Sequence, residues 1–251
     1  MNTKNKVLSL SLCAAFGAAF VLSSAVLPSV PAVFAETNSL QTAIDGAQSG
    51  ETVKLTENCA EAVTVAKDDN IVLDLNGFEI SATLTNNGTL KIVDSVETGA
   101  FRLTSNTSGV VSAIVNNGDL TFDGAVVEVT GTGNQTDIRG ITNNSGATVS
   151  FLSGDISVIS SGGYFGNAIF NAAGGTVEEI SGGTLSAQIS NTNVKLNSVA
   201  VNNYGTIKDI SGGKITSENN GNGGTGNYAV AIRNNNGGVI ESISGGELYG
   251  C

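Results

Sequence analysis

The sequence predicts an all-β fold: a right-handed parallel β-helix with three short strands per coil, about seven coils and a short N-terminal capping helix. Three observations carry that expectation. Two motifs recur with one period near thirty residues, the apolar runs are too short for helices, and the composition is rich in glycine and poor in charge. The first motif is ISGG, at 180–183, 210–213 and 243–246, with a weaker LSGD at 152–155 and a degenerate FDGA at 122–125. The first glycines of these copies, Gly124, Gly154, Gly182, Gly212 and Gly245, are 30, 28, 30 and 33 residues apart. The second motif precedes each copy. It reads AIVNNGDL from Ala113, GITNNSGATV from Gly140, AIFNAAGGTV from Ala168, AVNNYGTI from Ala200 and AIRNNNGGVI from Ala231, with an earlier relative, TLTNNGTLKI, from Thr83. Two independent markers with one period define a repeat architecture.

Each unit reads as strand, turn, strand, turn, strand. In the unit from Ala168, Ile169 opens a strand, 171–175 turns the chain, Val177 and Ile180 point inward, 181–183 turns again and 184–186 is a third strand. No run keeps a 3.6-residue apolar period, so helical repeats are excluded. A coil of three short strands cannot bury its apolar side chains alone; stacking on the next coil, about 4.8 Å away, does so. Seven coils at that spacing make a rod of roughly 34 Å. The asparagines Asn86, Asn116, Asn143, Asn171, Asn202 and Asn234 are expected to stack at one corner, their amides bonding along the axis. Spacing varies between the third strand of one unit and the next marker, at 131–137 and most of all at 217–227 (SENNGNGGTGN). Insertions in solenoids map to loops on one face.

Composition bounds the function. Residues 1–35 read as a signal peptide: Lys4 and Lys6 precede an apolar stretch, and Val33, Phe34 and Ala35 form a small-residue cleavage site before Glu36. This implies secretion to the extracellular space or cell surface, with no stable membrane insertion once the signal is removed. Cleavage leaves 9 Lys and Arg against 22 Asp and Glu, a charge of −13, which argues against nucleic acid as a partner. Cys59 and Cys251 lie near opposite ends of the mature chain, too far apart in an extended fold for a disulfide.

Residues 36–50 form the expected capping helix, with Leu40, Ala43, Ile44 and Ala47 at helical spacing and Ser39 or Asn38 as the N-cap. The β-helix repeats occupy 51–251. The last unit stops just after its ISGG turn, so further repeats or modules beyond residue 251 are expected.

The segment IVLDLNGFEIS from Ile71, followed by TNNGTLKIVDS from Thr85 and the GGT[IV] and ISGG units, resembles bacterial adhesin-like surface proteins with pectate-lyase-like β-helix repeats. The resemblance spans about residues 50–250 and lies in scaffold residues. It implies the fold, and it admits adhesins, surface-layer-type proteins and polysaccharide-active enzymes alike. Lyases of this class, the resemblance implies, use Asp-rich calcium sites with an Arg or Lys base, and hydrolases use paired carboxylates.

The residues supply no coherent catalytic site, cofactor site or metal site. Arg102, Arg139 and Arg233 fall at different repeat positions. Glu178, Lys208 and Glu241 align in one column and Glu179, Asp209 and Ser242 in the next, which suits a solvated corner of mixed charge. The chain has no histidine, so neither a Ser-His-Asp triad nor a Cys/His zinc site can form. Calcium has two candidate ligand groups, Asp68 with Asp69 and Asn70, and Asp74 with Asn76; neither matches a known calcium loop. The expected function is a non-enzymatic, secreted or cell-surface β-solenoid acting as an adhesin-like or structural binding rod, contacting a glycan or host-surface protein. The alternative is a polysaccharide lyase or hydrolase.

Overall fold

The computed structural model describes residues 32–33, 39–133, 136–162, 165–190, 197–220 and 228–251. The cleavage site, apart from Val33, and most of the 217–227 insertion lie outside the described residues. The described residues form a parallel β-solenoid with one short helix. β1 (Ala32–Val33), α1 (Leu40–Gly46) and β2 (Glu51–Lys54) come first. Two short turns follow: β3 (Val63–Val65), β4 (Asn70–Asp74) and β5 (Glu79–Ile80), then β6 (Leu84–Asn86), β7 (Thr89–Val93) and β8 (Ala100–Ser105). The third turn is β9 (Gly109–Asn116) and β10 (Asp119–Gly131), and the fourth is β11 (Thr136–Asn143) and β12 (Thr148–Ser160). β13 (Phe165–Asn171), β14 (Thr176–Ile180), β15 (Thr184–Ile189), β16 (Asn197–Asn203), β17 (Thr206–Ile210), β18 (Lys214–Asn219), β19 (Tyr228–Asn234), β20 (Val239–Ile243) and β21 (Glu247–Gly250) complete the stack.

Five of these turns, from β9, β11, β13, β16 and β19 onward, are full coils. The expectation of about seven thirty-residue coils is corrected accordingly. The leading turns are shorter, pairing Val63 with Leu84 and Ile71 with Leu90, because their strands shrink to two or three residues at some corners.

Three faces result. The first is a seven-stranded sheet in the order β19-β16-β13-β11-β9-β6-β3. The second stacks β2, β4, β7, the first half of β10 and of β12, β14, β17 and β20. The third stacks β5, β8, the second halves of β10 and β12, β15, β18 and β21. β10 and β12 each pass from the second face to the third without a break, and register shifts at Asp123 in β10 mark the corner.

Register places like residues on like residues. On the second face Val53, Leu73, Ile92, Phe122, Phe151, Ile180, Ile210 and Ile243 form one inward column. Phe122 and Phe151 are fully buried, and their rings stack 5.6 Å apart. The third face contributes Ile80, Phe101, Val127, Ile156, Leu185, Ile215 and Leu248. On the first face the Ala-Ile pair of the marker is buried whole, as at Ala168 and Ile169. The first of these positions must be small: a Cβ on Gly140 would meet Ile156 Cγ2 at 2.3 Å.

The asparagine ladder forms as expected with one correction. Asn86, Asn116, Asn143, Asn171, Asn203 and Asn234 follow one another, each Nδ2 donating to the next Oδ1 at 2.7 to 2.8 Å. Asn203, not Asn202, holds the fifth place. Pleating sends Asn203 inward with Val201, while Asn202 faces out and accepts from Asn235 Nδ2 at 2.7 Å.

At the N-terminal end α1 covers the core with Leu40 and Ile44, and Ser39 accepts from the Thr42 N–H as its N-cap. Gln41 does more than pack. Its Nε2 donates to Thr64 O at 2.9 Å and its Oε1 accepts from Thr64 N at 2.7 Å, so one side-chain amide pairs with the edge of β3 as a strand residue would. At the other end the last rung is open, with Val239, Ile243 and Leu248 exposed.

Candidate functional site

The sequence-derived candidates divide among the faces. Glu178, Lys208 and Glu241 do share a column on the second face, at the point where an extra residue bulges out of β14. Lys208 Nζ lies 2.7 Å from Glu178 Oε2, an exposed pair of the kind that contributes about 0–1 kcal/mol. Arg139 and Arg233 are on the first face and Arg102 is on the third, so the three arginines line no common groove. Both described cysteines are free thiols. Burial, together with nearby Glu61 and Glu57, raises the Cys59 thiol, and its Sγ donates to the Glu61 carbonyl, which keeps it protonated and a poor nucleophile.

Two of the acids offered as calcium ligands, Asp69 and Asp74, are engaged by the backbone. Asp69 Oδ2 accepts from the Ala66 N–H. Asp74 Oδ1 accepts from the N–H groups of Asn76 and Ser95, both at 2.9 Å, while Lys54 Nζ stands 3.4 Å from its Oδ2. One coil on, Asp94 accepts from Gly77 and Gly99. These carboxylates cap turns, and among the described residues no group of three or more His, Cys, Asp or Glu gathers to hold a metal.

Burial opposes ionisation of Asp74, but the Ser95 and Asn76 donors and Lys54 outweigh it and hold its carboxyl below the ordinary range. A depressed pKa stabilises the fold above the unfolded value, about 4, and that contribution is lost as pH falls through the folded value. Asp74→Asn is therefore expected to lower stability in urea unfolding at neutral pH. The difference should shrink as the pH falls below the unfolded value and vanish once it lies below the folded value.

The third face supplies a site that sequence reasoning missed. An open groove of about 600 Å³ is lined by Glu97, Thr98, Arg102, Val126, Glu128, Asp155, Ile156, Ser157, Thr184 and Ser186. Parallel register builds it, since Arg102, Glu128, Ser157 and Ser186 occupy one outward column, continued by Thr216 and Tyr249. Val126, Asp155, Thr184, Lys214 and Glu247 form the neighbouring column. A second hollow, of about 530 Å³, lies on the same face between Lys214, Thr216, Glu218, Glu247, Leu248 and Tyr249.

Arg102 is held from both sides, with Nε 2.8 Å from Glu128 Oε2 and an Nη1 3.5 Å from Glu79 Oε2. Glu97 and Asp155 make no ion pair among the described residues. Glu97 also has a φ of 64°, a left-handed conformation that costs a non-glycine residue about 1–2 kcal/mol. Such outliers concentrate where a side chain must be aimed. The strands of this face carry five carboxylates, on Glu79, Glu128, Asp155, Glu218 and Glu247, against two bases, Arg102 and Lys214. The groove therefore joins an acidic field to hydroxyls repeated at the rung spacing. Such a surface favours neutral or cationic chains and repels polyanions.

Among the described residues no helix is long and apolar enough to cross a membrane. No protein-family model, no curated protein and no solved structure matches the chain.

Proposed function

We propose that the chain is a secreted or cell-surface binding rod, adhesin-like in role, whose third face holds an extended amino-sugar polymer. One observation carries this reading. Carboxylates without an ion pair among the described residues, on Glu97 and Asp155, and hydroxyls, on Ser157, Thr184 and Ser186, line one open groove running along the rod axis. A polymer with repeating hydroxyls and ammonium groups can meet such a row unit by unit, whereas a compact ligand would use one rung. The bacterial surface proteins that the sequence resembles include such rods, and that resemblance supports the placement at a surface.

The test is titration calorimetry with a chitosan hexamer at mildly acidic pH. Glu97→Gln with Asp155→Asn should weaken binding by about tenfold or more, equivalent to about 1.4 kcal/mol. As an outward-facing pair it should leave stability within about 0.5 kcal/mol. Binding should also fall with salt, since exposed charges are screened. Absence of binding, or binding indifferent to both substitutions, defeats the reading. A polysaccharide-active enzyme is favoured by one feature only, the presence of Glu97, Glu128 and Asp155 in the same groove. Release of new reducing ends from the hexamer, abolished by Asp155→Asn, would replace the binding role with that activity.

A further inference from the structure

The first face differs in chemistry from the rest of this acidic molecule. Its seven strands contain no Lys and no Glu, and their only charged residues are Asp137, Arg139 and Arg233. Outward-facing rings concentrate there. Phe170 on β13 and Tyr204, just past the end of β16, lie together at one end of the strands, while Tyr228 opens β19 at the other end, opposite Asn197; both tyrosines are exposed. Phe170 and Tyr204 have ring centroids 5.6 Å apart. The Arg139 guanidinium lies 3.6 Å above the Phe170 ring and its Nε donates to Asp137 Oδ2 at 3.1 Å, so its charge is neutralised locally. Arg233 Nη1 donates to the Tyr228 hydroxyl at 3.0 Å. Amides fill the gaps, with Asn202 and Asn235 bonded to each other beside the rings.

A second observation points the same way. On the same strands the Oδ1 atoms of Asn167 and Asn197 are buried and have no hydrogen-bond donor. Leaving a buried amide oxygen unmet is unfavourable, so this face has unfilled capacity for a donor.

We propose that the strip running along the strands of this face, from Tyr228 at one end to the Phe170–Tyr204 pair at the other with Arg139, Asn202 and Arg233 between, is a binding site for a neutral hexose oligosaccharide. Rings offer flat apolar surface to the C–H faces of the sugar, and Tyr and Arg supply rigid contact area with a polar tip. The amides and the unmet carbonyl oxygens pair with hydroxyls, directly or through water. With one Asp and two Arg on its strands, one of the Arg paired to that Asp, this face lacks the acidic field of the third face and suits an uncharged ligand. The two sites lie on different faces, so the rod can hold two chains at once.

The chain has four tyrosines and no tryptophan, so its intrinsic fluorescence reports on tyrosine alone. Cellohexaose and mannohexaose are titrated against the full chain while that fluorescence is followed. At least one should give a saturable change. Tyr204→Ser should weaken it by about tenfold, as should Phe170→Leu, which keeps an apolar side chain against Arg139. Asp155→Asn on the third face should leave it unchanged. Circular dichroism of each variant separates lost binding from lost fold. The proposal is overturned if neither sugar gives a saturable change. It is equally overturned if Asp155→Asn abolishes the change, or if sedimentation shows self-association that Tyr204→Ser removes, which would make the strip an interface between copies.

Discussion

Asn143→Ala is expected to destabilise the rod by about 3 kcal/mol, far more than an ordinary polar substitution. Asn143 sits at the middle of the ladder and is fully buried. Its Oδ1 accepts from Asn116, and its Nδ2 reaches Asn171 Oδ1 at 2.8 Å and the carbonyls of Thr176 and Ala147 at 3.1 and 3.3 Å. Alanine removes all of these at once and strands the Asn171 oxygen in a dry interior. Leaving a buried polar group unmet costs about 1–3 kcal/mol beyond the bond itself. The contrast at the neighbouring coil is sharper still. Asn203→Ala should resemble Asn143→Ala, whereas Asn202→Ala removes one outward bond and should cost about 1 kcal/mol. Urea unfolding of the three variants measures this, and equal losses at 202 and 203 would contradict the inward and outward assignment.

Gly183→Ala should be comparably severe, for a different reason. Gly183 has a φ of 67°, and a Cβ there would stand 2.1 Å from the carbonyl oxygen of Gly154 on the preceding coil. Left-handed backbone costs alanine about 1–2 kcal/mol, and the overlap with rigid backbone forces the coils apart as well. The expected loss is at least about 3 kcal/mol. Because each coil contacts only its neighbours, the damage should localise between β12 and β15 and split a cooperative transition into two. Circular dichroism and hydrogen exchange read this directly. A single unshifted transition would show that the coils are not stacked this tightly at the ISGG turn.

The repeat was legible because its conserved spacing reflects inward geometry. ISGG recurs where the chain must turn with backbone against backbone, and the marker asparagine recurs where an amide must bond above and below. Asn202 was misplaced because two asparagines stand side by side in AVNNYG, and only strand pleating decides which faces in. The short leading turns were misjudged because they lack the ISGG turn and carry a single relative of the other marker, at Asn86. Their capping is done by Gln41, whose pairing with β3 depends on a contact 23 residues away. The groove left no sequence signal. Its outward column reads Arg102, Glu128, Ser157, Ser186, Thr216 and Tyr249, an ion pair followed by hydroxyls of three residue types with no shared motif, and only register brings them into line. Turn positions constrain residue type and so repeat; outward positions do not, and there function can vary.

The recognition surface is tested most directly by mapping backbone amide NMR shifts as the chitosan hexamer is added. The predicted result is that the largest shifts fall in β8, in the second halves of β10 and β12, and in β15, following the axis from Arg102 to Ser186. Shifts confined to the first or second face, or no shifts at saturating hexamer, would contradict it.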